Sequence, residues 1–519
     1  MSGNLSRDHR VSGIAVRGRN GIVAAQNQAA ADVGAEVLAA GGNAVDAAVA
    51  TGFALAALEP WMSGLGGGGY LVMMRPGERN AQVVDGGLIA AAALDPADYP
   101  LHASGRGGDL FDWPPVLDDR NLKGYSAIAV PGEVAALALA HERFGTMPWR
   151  ELLEPAIALA RRGVDVDWFT SLLITTVAPV LAEFPASREA FLAQGFPVAP
   201  APDGGPSYRR IAPLAATLER LAAAGGEDFY RGDIAALLLA DLAEGGSKIR
   251  AADLARYRAQ VRPALAFAYK DAIIHAVPGL TGGPTLQAAL ATLDGRLKGA
   301  RPDAAAYAAY ATALRSAYAE RFATMGDSQG RSCTTHLSVV DKDGTLVALT
   351  LTLLSLFGSK VVLPKSGVLM NNGVMWFDTR PGRPNSIAPG KRPLANMCPV
   401  LASRDGQPFL ALGASGGRRI TPALLQILSF LLDFRLDLEE AFHQPRIDVS
   451  GEGPASFDES LPPEVAAALS ALGPAIALPR VPYPVNFAWP TAVLRQSDGI
   501  GLGIGEPSVP HASASVARA

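Results

Sequence analysis

Cysteine is scarce: Cys333 and Cys398 are the only two in 519 residues. Two thiols cannot build a disulfide framework or a four-thiolate zinc site. A single Cys333–Cys398 bridge is the one pairing left open. Charge is sparse too, at 18% of residues. Lys and Arg number 45 against 49 Asp and Glu, a net charge of −4, so the basic surface that nucleic acid or an anionic membrane requires is not there. No window holds the ~18 uninterrupted apolar residues of a membrane span. The best runs, near residues 346–357 and 424–432, are interrupted or short. The seven histidines include no pair at H-x-x-x-H spacing, so no metal site is expected. Residues 1–20 are polar and Arg-rich, with no apolar stretch and no cleavage pattern. They read as no secretory signal and predict a cytoplasmic protein.

What is present is a large apolar content, 49%, enough for a sizeable core. The length suits about three domains or one interleaved one. Gly at 55 and Pro at 39 imply many tight turns. Residues 29–58 are Ala-rich with helical spacing, interrupted at Gly41-Gly42-Asn43: helix, turn, helix. Gly64-Leu65-Gly66-Gly67-Gly68-Gly69 precedes an apolar run, 70–74, that reads as a buried strand. Residues 100–125 read as loop. Helical patterns dominate 131–330, for instance 134–144, 151–161, 211–224 and 304–322. At Thr334 the texture changes. Residues 336–341, the turn Lys342-Asp343-Gly344 and residues 346–353 read as a hairpin. A second hairpin is expected near 361–370, then a strand at 409–412, a turn at 413–417 and a helix at 421–432. The class is mixed α and β.

Four motifs bear on chemistry. The glycine run at 64–69 matches G-x-G-x-x-G, but a dinucleotide fingerprint needs a strand before it and a helix after it. Here the order is reversed, so a turn at a close backbone approach is expected. Gly413-Ala414-Ser415-Gly416-Gly417 matches G-x-S-x-G between a strand and a helix, the setting of a nucleophile elbow. Glu439 or Asp448 with His443 or His511 would complete a triad for Ser415. The passive alternative is that the amides of Gly416 and Gly417 hold an oxyanion. Asp46, in an apolar helical stretch, reads as a paired or helix-end residue rather than a catalytic one. Cys333-Thr334-Thr335-His336 stands at the sharpest change in composition. Its ordinary reading is a Thr-rich strand entry. Its chemical reading is that the Cys333–Thr334 bond is cut, so that the new α-amino group of Thr334 serves as base for its own hydroxyl. An α-amino pKa of ~7.7–8.0 suits that task.

Taken together these segments resemble the gamma-glutamyltransferase family of N-terminal-nucleophile (Ntn) hydrolases over about residues 20–515. The matching pieces run in order: Gly41 to Ala48, Gly64 to Gly69, Val130-Pro131-Gly132, Phe144 to Trp149, Asp228 to Gly232 and Ala319-Glu320-Arg321. Then follow Thr334 to Asp341, Asn371-Asn372, Pro389 to Leu394 and Gly416-Gly417. The resemblance implies a four-layer αββα fold made as a precursor. Cleavage before Thr334 would give a large segment, 1–333, and a small segment, 334–519, held in one intertwined globule. It implies Thr334 as nucleophile, Thr352 as the hydroxyl that orients it, and Gly416 and Gly417 as oxyanion donors. An acyl group would pass through an ester on Thr334 to water or an amine, with no cofactor. Homo-oligomerisation is left open.

The head-group positions depart from the family. By the resemblance, the Arg that holds the glutamyl carboxylate is Gly87, within Asp85-Gly86-Gly87-Leu88. The Asn after the second Thr is Leu354. The Gln and the Asp of the Asn-Asn segment are Gly373 and Trp376, beside Met375. The Ser-Ser pair is Ala395-Asn396. Arg418 and Arg419 are candidate carboxylate receivers, or else exposed arginines at a helix start. Only Ser328 to Cys333 separate the Gly326-Asp327 pair from the nucleophile, shorter than usual in the family. The expected substrate is therefore a small amide other than glutathione, such as an acyl amide with a terminal carboxylate. The alternatives are a true glutathione-hydrolysing transferase, a Ser415 hydrolase and an unprocessed, non-catalytic homologue.

Overall fold

The computed structural model describes residues 12–102, 113–325, 333–451 and 453–518. Two seven-stranded sheets face each other, and helices cover both outer faces: the four layers αββα. The first sheet runs, edge to edge, β14 (Ser513–Val516), β2 (Gly21–Ala25), β8 (Cys333–Asp341), β9 (Leu346–Leu354), β3 (Gly68–Met74), β4 (Gln82–Gly86), β5 (Gln260–Pro263). The second runs β1 (Val16–Gly18), β13 (Gly501–Gly505), β12 (Trp489–Arg495), β11 (Gln407–Ser415), β10 (Val400–Arg404), β7 (Ala272–Ala276), β6 (Leu265–Tyr269). Each of the two large sheets combines strands from both sides of the Thr334 boundary.

Side-chain alternation assigns the faces. Val23, Ala25, Leu337, Val339 and Leu349 point into a core shared with α1 (Gln28–Ala39), α2 (Ala44–Leu58), α3 (Glu133–Phe144) and α4 (Trp149–Arg162). Ile22, Ala24, Val340 and Ala348 lie in the cluster between the sheets, with Ala411 and Val493. The outer face of the second sheet packs on α5 (Gly283–Leu293), α6 (Ala304–Thr324) and α7 (Ile420–Leu432). Every residue of α2 is buried, which explains why its sequence is apolar apart from Asp46 and Thr51.

Asp46 closes the capping box at the start of α2 with Asn43 and also accepts the Thr146 hydroxyl at 2.6 Å. This is the helix-end role expected of it. The glycine run at 64–69 is a turn into β3, as expected: a Cβ on Gly66 would lie 2.9 Å from the Met370 Cα, and one on Gly67 2.9 Å from a Glu133 oxygen. Two readings are corrected. The section 131–330 is not helix with short connections alone, because β5, β6 and β7 lie inside it. The turn placed at 413–417 starts later, since β11 continues through Ser415. Cys398 is a free, buried thiol, so there is no Cys333–Cys398 bridge; burial pushes it up to about 12. The shortened link from Gly326 to Ser332 lies outside the described residues, as does 103–112 within the expected loop. Among the described residues no helix is long and apolar enough to cross a membrane, and no cluster of three His, Cys, Asp or Glu could hold a metal.

Candidate active site

Thr334 is the second residue of β8, in the middle of the first sheet, and is 1% exposed in the uncut chain. Its Oγ1 lies 3.3 Å from Oγ1 of Thr352 on the neighbouring strand β9. A register irregularity between Cys333 and Thr335 marks this point in the ladder. Thr352 is itself fixed: the Leu354 amide donates to its hydroxyl at 2.8 Å. Leu354 has φ +86, a left-handed conformation that costs a non-glycine residue about 1–3 kcal/mol. The chain turns there, and the Leu354 amide faces back onto Thr352.

His336, two residues on, is not a free base. Its ring nitrogens meet Thr350 Oγ1 at 2.8 Å and Ser338 Oγ at 3.0 Å. Burial lowers its pKa to about 3, so it stays neutral. The ring fills the space that a side chain on Gly413 would need, so β8 and β11 approach closely at this level. Ser415, two residues beyond Gly413, accepts a hydrogen bond from Gln26 Nε2 at 2.6 Å, and the same amide reaches the Trp489 carbonyl at 2.9 Å. Gln26 follows Ala25, which pairs with Leu337. The Thr334 end of β8 and the C-terminal end of β11 therefore share one edge of the sandwich. There the chain turns through Gly416 (φ +127) and Gly417 (φ +66) into α7. A Cβ on Gly416 would sit 2.8 Å from the Ala488 Cα, so both the conformation and the space call for glycine.

Ser415 has no assembled triad. It is 1% exposed. His443 meets the Glu439 carbonyl and accepts the Gly13 amide, His511 pairs with Asp167 at 2.6 Å, and Glu439 accepts the Ala15 amide. Asp448 faces Arg419 at 3.7 Å and accepts the Ser450 hydroxyl. The expectation that Arg418 and Arg419 stand exposed at the helix start is also corrected: they are 3% and 8% exposed. The Arg418 guanidinium lies over the Phe322 ring at 4.9 Å, and Arg419 bonds the Val485 carbonyl.

The departing positions do come together. Leu354, Trp376, Met375 and Ala395 share one apolar cluster with Tyr70, Leu88 and Ala129. A Cβ on Gly373 would meet Leu88 and Ala129 at 2.7 Å. Asn396 is drawn the other way: its side-chain oxygen and the Ala395 carbonyl accept from the buried Arg321 guanidinium at 3.2 and 2.8 Å. Asn371 and Asn372 are clamps. Asn371 ties Gly66 and Ala129 together, and Asn372 ties Leu122 to Ser355. Residue-type reasoning assigned no role to two buried carboxyls beside this sheet. Glu133 accepts the Gly64 amide and Glu59 ends α2. Burial raises Glu133 well above the carboxylate range and Glu59 to about 7. Neither stands out in sequence, because only the fold shows that their surroundings are dry.

A family model described as gamma-glutamyltranspeptidase matches residues 30–333 and 328–515. The chain belongs to the gamma-glutamyltranspeptidase family. It is 35% identical over 497 residues to the acylase ACY 1 proenzyme of Pseudomonas sp. (strain V22), spanning 88% of this chain and 87% of that one. It is 32% identical over 493 residues to the glutathione hydrolase proenzyme of Escherichia coli (strain K12), spanning 83% and 81%. The crystal structure of a cephalosporin acylase from Bacillus halodurans superposes with a TM-score of 0.84 over the whole of both chains at 24% identity, which establishes the shared fold. The family is one of Ntn hydrolases, and this member is an enzyme of amide hydrolysis and acyl transfer.

Proposed function

We propose that the chain cuts itself before Thr334 and then hydrolyses, or transfers the acyl group of, a small amide that is not glutathione. The observation that carries this is the 3.3 Å pairing of Thr334 and Thr352 hydroxyls at the edge where Gly416 and Gly417 turn. For maturation, the Thr334 hydroxyl attacks the Cys333 carbonyl, and its nitrogen leaves with the proton. That shift leaves Thr334 with a free α-amino group and an ester on Oγ1; water then hydrolyses the ester, restoring the Thr334 hydroxyl and leaving a carboxylate on Cys333. For turnover, that amine takes the hydroxyl proton as Oγ1 attacks the substrate carbonyl. The Gly416 and Gly417 amides stabilise the oxyanion. The proton passes to the leaving amine, and water or a second amine cleaves the Thr334 ester. Thr352 holds Oγ1 in line.

Two findings favour a substrate other than glutathione. The positions where a glutamyl head group would find Arg and Asp carry Gly87 and Trp376, and the surrounding cluster is apolar. Among the relatives, those named acylases stand beside those named glutathione hydrolases. The test is intact mass under denaturing conditions on wild type and Thr334→Ala, followed by anilide turnover. Two wild-type species matching 1–333 and 334–519, one mutant species, and faster turnover of simple acyl than of gamma-glutamyl anilides are expected. A wild type that stays in one piece would refute the maturation step. Glutathione cleaved faster than any simple acyl amide would refute the substrate reading.

A further inference from the structure

The face of β8 turned away from the Thr334 hydroxyl also carries polar groups. Side chains alternate along a strand, so Thr335 points with Leu337 toward the helices, while His336 points with Thr334 between the sheets. Thr335 pairs with Leu351 in the ladder and is fully buried. It meets a carboxyl there. Glu59, which ends α2, is 5% exposed, lies against the side chains of Thr335 and Asn27, and faces the His511 ring. Glu59 Oε2 and Thr335 Oγ1 are both buried without an aligned hydrogen-bond partner. The turn that Glu59 opens also holds the exit of β9. The Met62 carbonyl accepts the Leu353 amide at 3.0 Å, and the Trp61 carbonyl accepts the Phe357 amide at 2.9 Å. One short turn thus touches both strands of the hydroxyl pair, β8 through a side chain and β9 through the backbone.

A path leads from Glu59 to solvent. The His511 side chain is 26% exposed, and its Nε2 lies 2.6 Å from Oδ2 of Asp167. The His511 carbonyl accepts the Gln28 amide at 2.9 Å, and the ring stands edge-on to Phe169, so its place is fixed. Asp167 caps the helix Trp168–Leu181 through the Thr170 amide. Outside lies a cavity of about 530 Å³ whose wall includes Asn27, Trp61, Thr170 and His511. The other charged groups around it are Asp32 on α1, Arg162 at the end of α4 and Asp165 just beyond.

Burial raises Glu59 to about 7, with His511, Asn27 and Thr335 pulling the other way. Burial also opposes a charge on His511, but Asp167 and Glu59 outweigh it and lift the imidazole above its ordinary value. Asp167 is held at about 2, against its own burial, by His511 and the Thr170 amide. A neutral Glu59 carries a proton that it can donate. An ionised one only accepts, so the Thr335 hydroxyl must turn round to meet it. The residue next to that hydroxyl is Thr334, where the ladder is already irregular.

We propose that Glu59 is a positioning residue for Thr334. In its neutral form it holds β8 so that the Thr334 and Thr352 hydroxyls align, and the Asp167–His511 pair links its proton to solvent through the cavity. This rests on the Thr334 reading above and adds a pH-sensitive support to that site.

The test uses self-cleaved full-length protein and a simple acyl 4-nitroanilide, with kcat and KM followed from pH 6 to pH 9. The proposed Thr334 amine makes kcat rise with pH. Ionisation of Glu59 should bend the wild-type curve downward above about pH 7, with KM flat. In Glu59→Gln, which keeps a neutral donor, the bend should vanish, so the ratio of variant to wild-type kcat should grow roughly tenfold across the range. Glu59→Ala should lower kcat roughly tenfold or more without raising KM, because the support itself is gone. Asp167→Asn still caps its helix but weakens the charge on His511, so the bend should move up by roughly half a pH unit. Should Glu59→Gln fail to mature, the wild-type profile and Asp167→Asn carry the test. A wild-type kcat that climbs through pH 9 without a bend overturns the inference and leaves the functional reading standing. So does a bend that survives Glu59→Gln, or one that coincides with loss of the folded circular-dichroism signal. A bend unmoved in Asp167→Asn overturns the link to the surface pair. A cleaved wild type that turns over no anilide overturns the functional reading and this inference with it.

Discussion

The two ends of one row across the first sheet are built differently. At Thr334 and Thr352 the parts are short hydroxyls, a strained Leu354 amide and two glycines with positive φ, so the backbone sets the geometry. At Gly87, Trp376 and Ala395 the parts are side chains in an apolar cluster, and the only strong charges are borrowed from Arg392 and Arg262. The first end tolerates almost no change in residue type, because the alternatives do not fit the backbone. The second can exchange its side chains while the sheet beneath stays the same. Chemistry and specificity are therefore separable in this molecule, and each can be broken alone.

The largest break should be Thr334→Ala. On the proposed mechanism it removes both the attacking oxygen and the self-cleavage step, and turnover should fall at least about 10³-fold, the scale of a lost nucleophile. The chain should appear as one full-length mass with an ordinary melting transition, since the methyl of alanine fits wherever threonine did.

Gly416→Ala should come next. Its Cβ would press on Ala488 at 2.8 Å with the backbone at φ +127, so the turn must move and carry its amides off the proposed oxyanion site. A loss of ~10²–10³ in kcat is expected. Gly41→Ala sharpens the point. Gly41 also has positive φ, +96, but opens onto empty space, so that variant should lose a little stability and no activity. Equal kinetic losses in both would show that the Gly416 effect is only general strain.

The Thr334 end also rests on a titrating support. Glu59 is buried at the end of α2; its carbonyl accepts the Met62 amide at 2.9 Å, and the Met62 carbonyl accepts Leu353 on β9 at 3.0 Å. Burial raises its pKa from 4.5 to about 7. The folded chain keeps a proton there that the unfolded chain releases, so stability is full below pH ~4.5 and declines as pH rises through about 7. The full loss is on the order of 3 kcal/mol. Glu59→Gln should flatten that decline, read as melting temperature against pH between 5 and 8. A slope unchanged by the substitution would assign the titration elsewhere.

The Thr334 end of that row was legible as pattern. The triplet Thr334-Thr335-His336 at a change of texture, the hairpin that follows it and the paired glycines are all local patterns, and the hydroxyls of Thr334 and Thr352 lie 3.3 Å apart. Sequence reasoning reached the other end only as a set of departures. Arg392 was visible as part of a motif, yet its docking on Asp85, 307 residues away, is a property of the folded sheet. The strands at 260–276 were masked by the helices around them, although Gln260 to Ala276 carries strand-favouring Val, Phe, Tyr and Ile. Arg418 and Arg419 read as exposed because arginine usually is; aromatic and ion-pair partners from distant segments bury them.

The smallest break tests the specificity end directly. Trp376→Asp restores an acid where the family keeps one, next to Leu354 and Ala395. It should not create a full gamma-glutamyl enzyme, because Gly87 still offers no guanidinium of its own and Arg392 is held on Asp85. An ammonium-bearing substrate gains one charged partner and the carboxylated acyl substrate meets one repulsive charge. The ratio of gamma-glutamyl to desamino anilide turnover should therefore rise about tenfold, the scale of a single partly solvated charge pair. Gly87→Arg should gain less by itself, since its side chain collides with Tyr70 and Arg392. Should Gly87→Arg alone shift the ratio further than Trp376→Asp, the rim around Arg392 yields more easily than its packing on Asp85 and Tyr70 implies. Specificity would then be set by whichever guanidinium wins that one space.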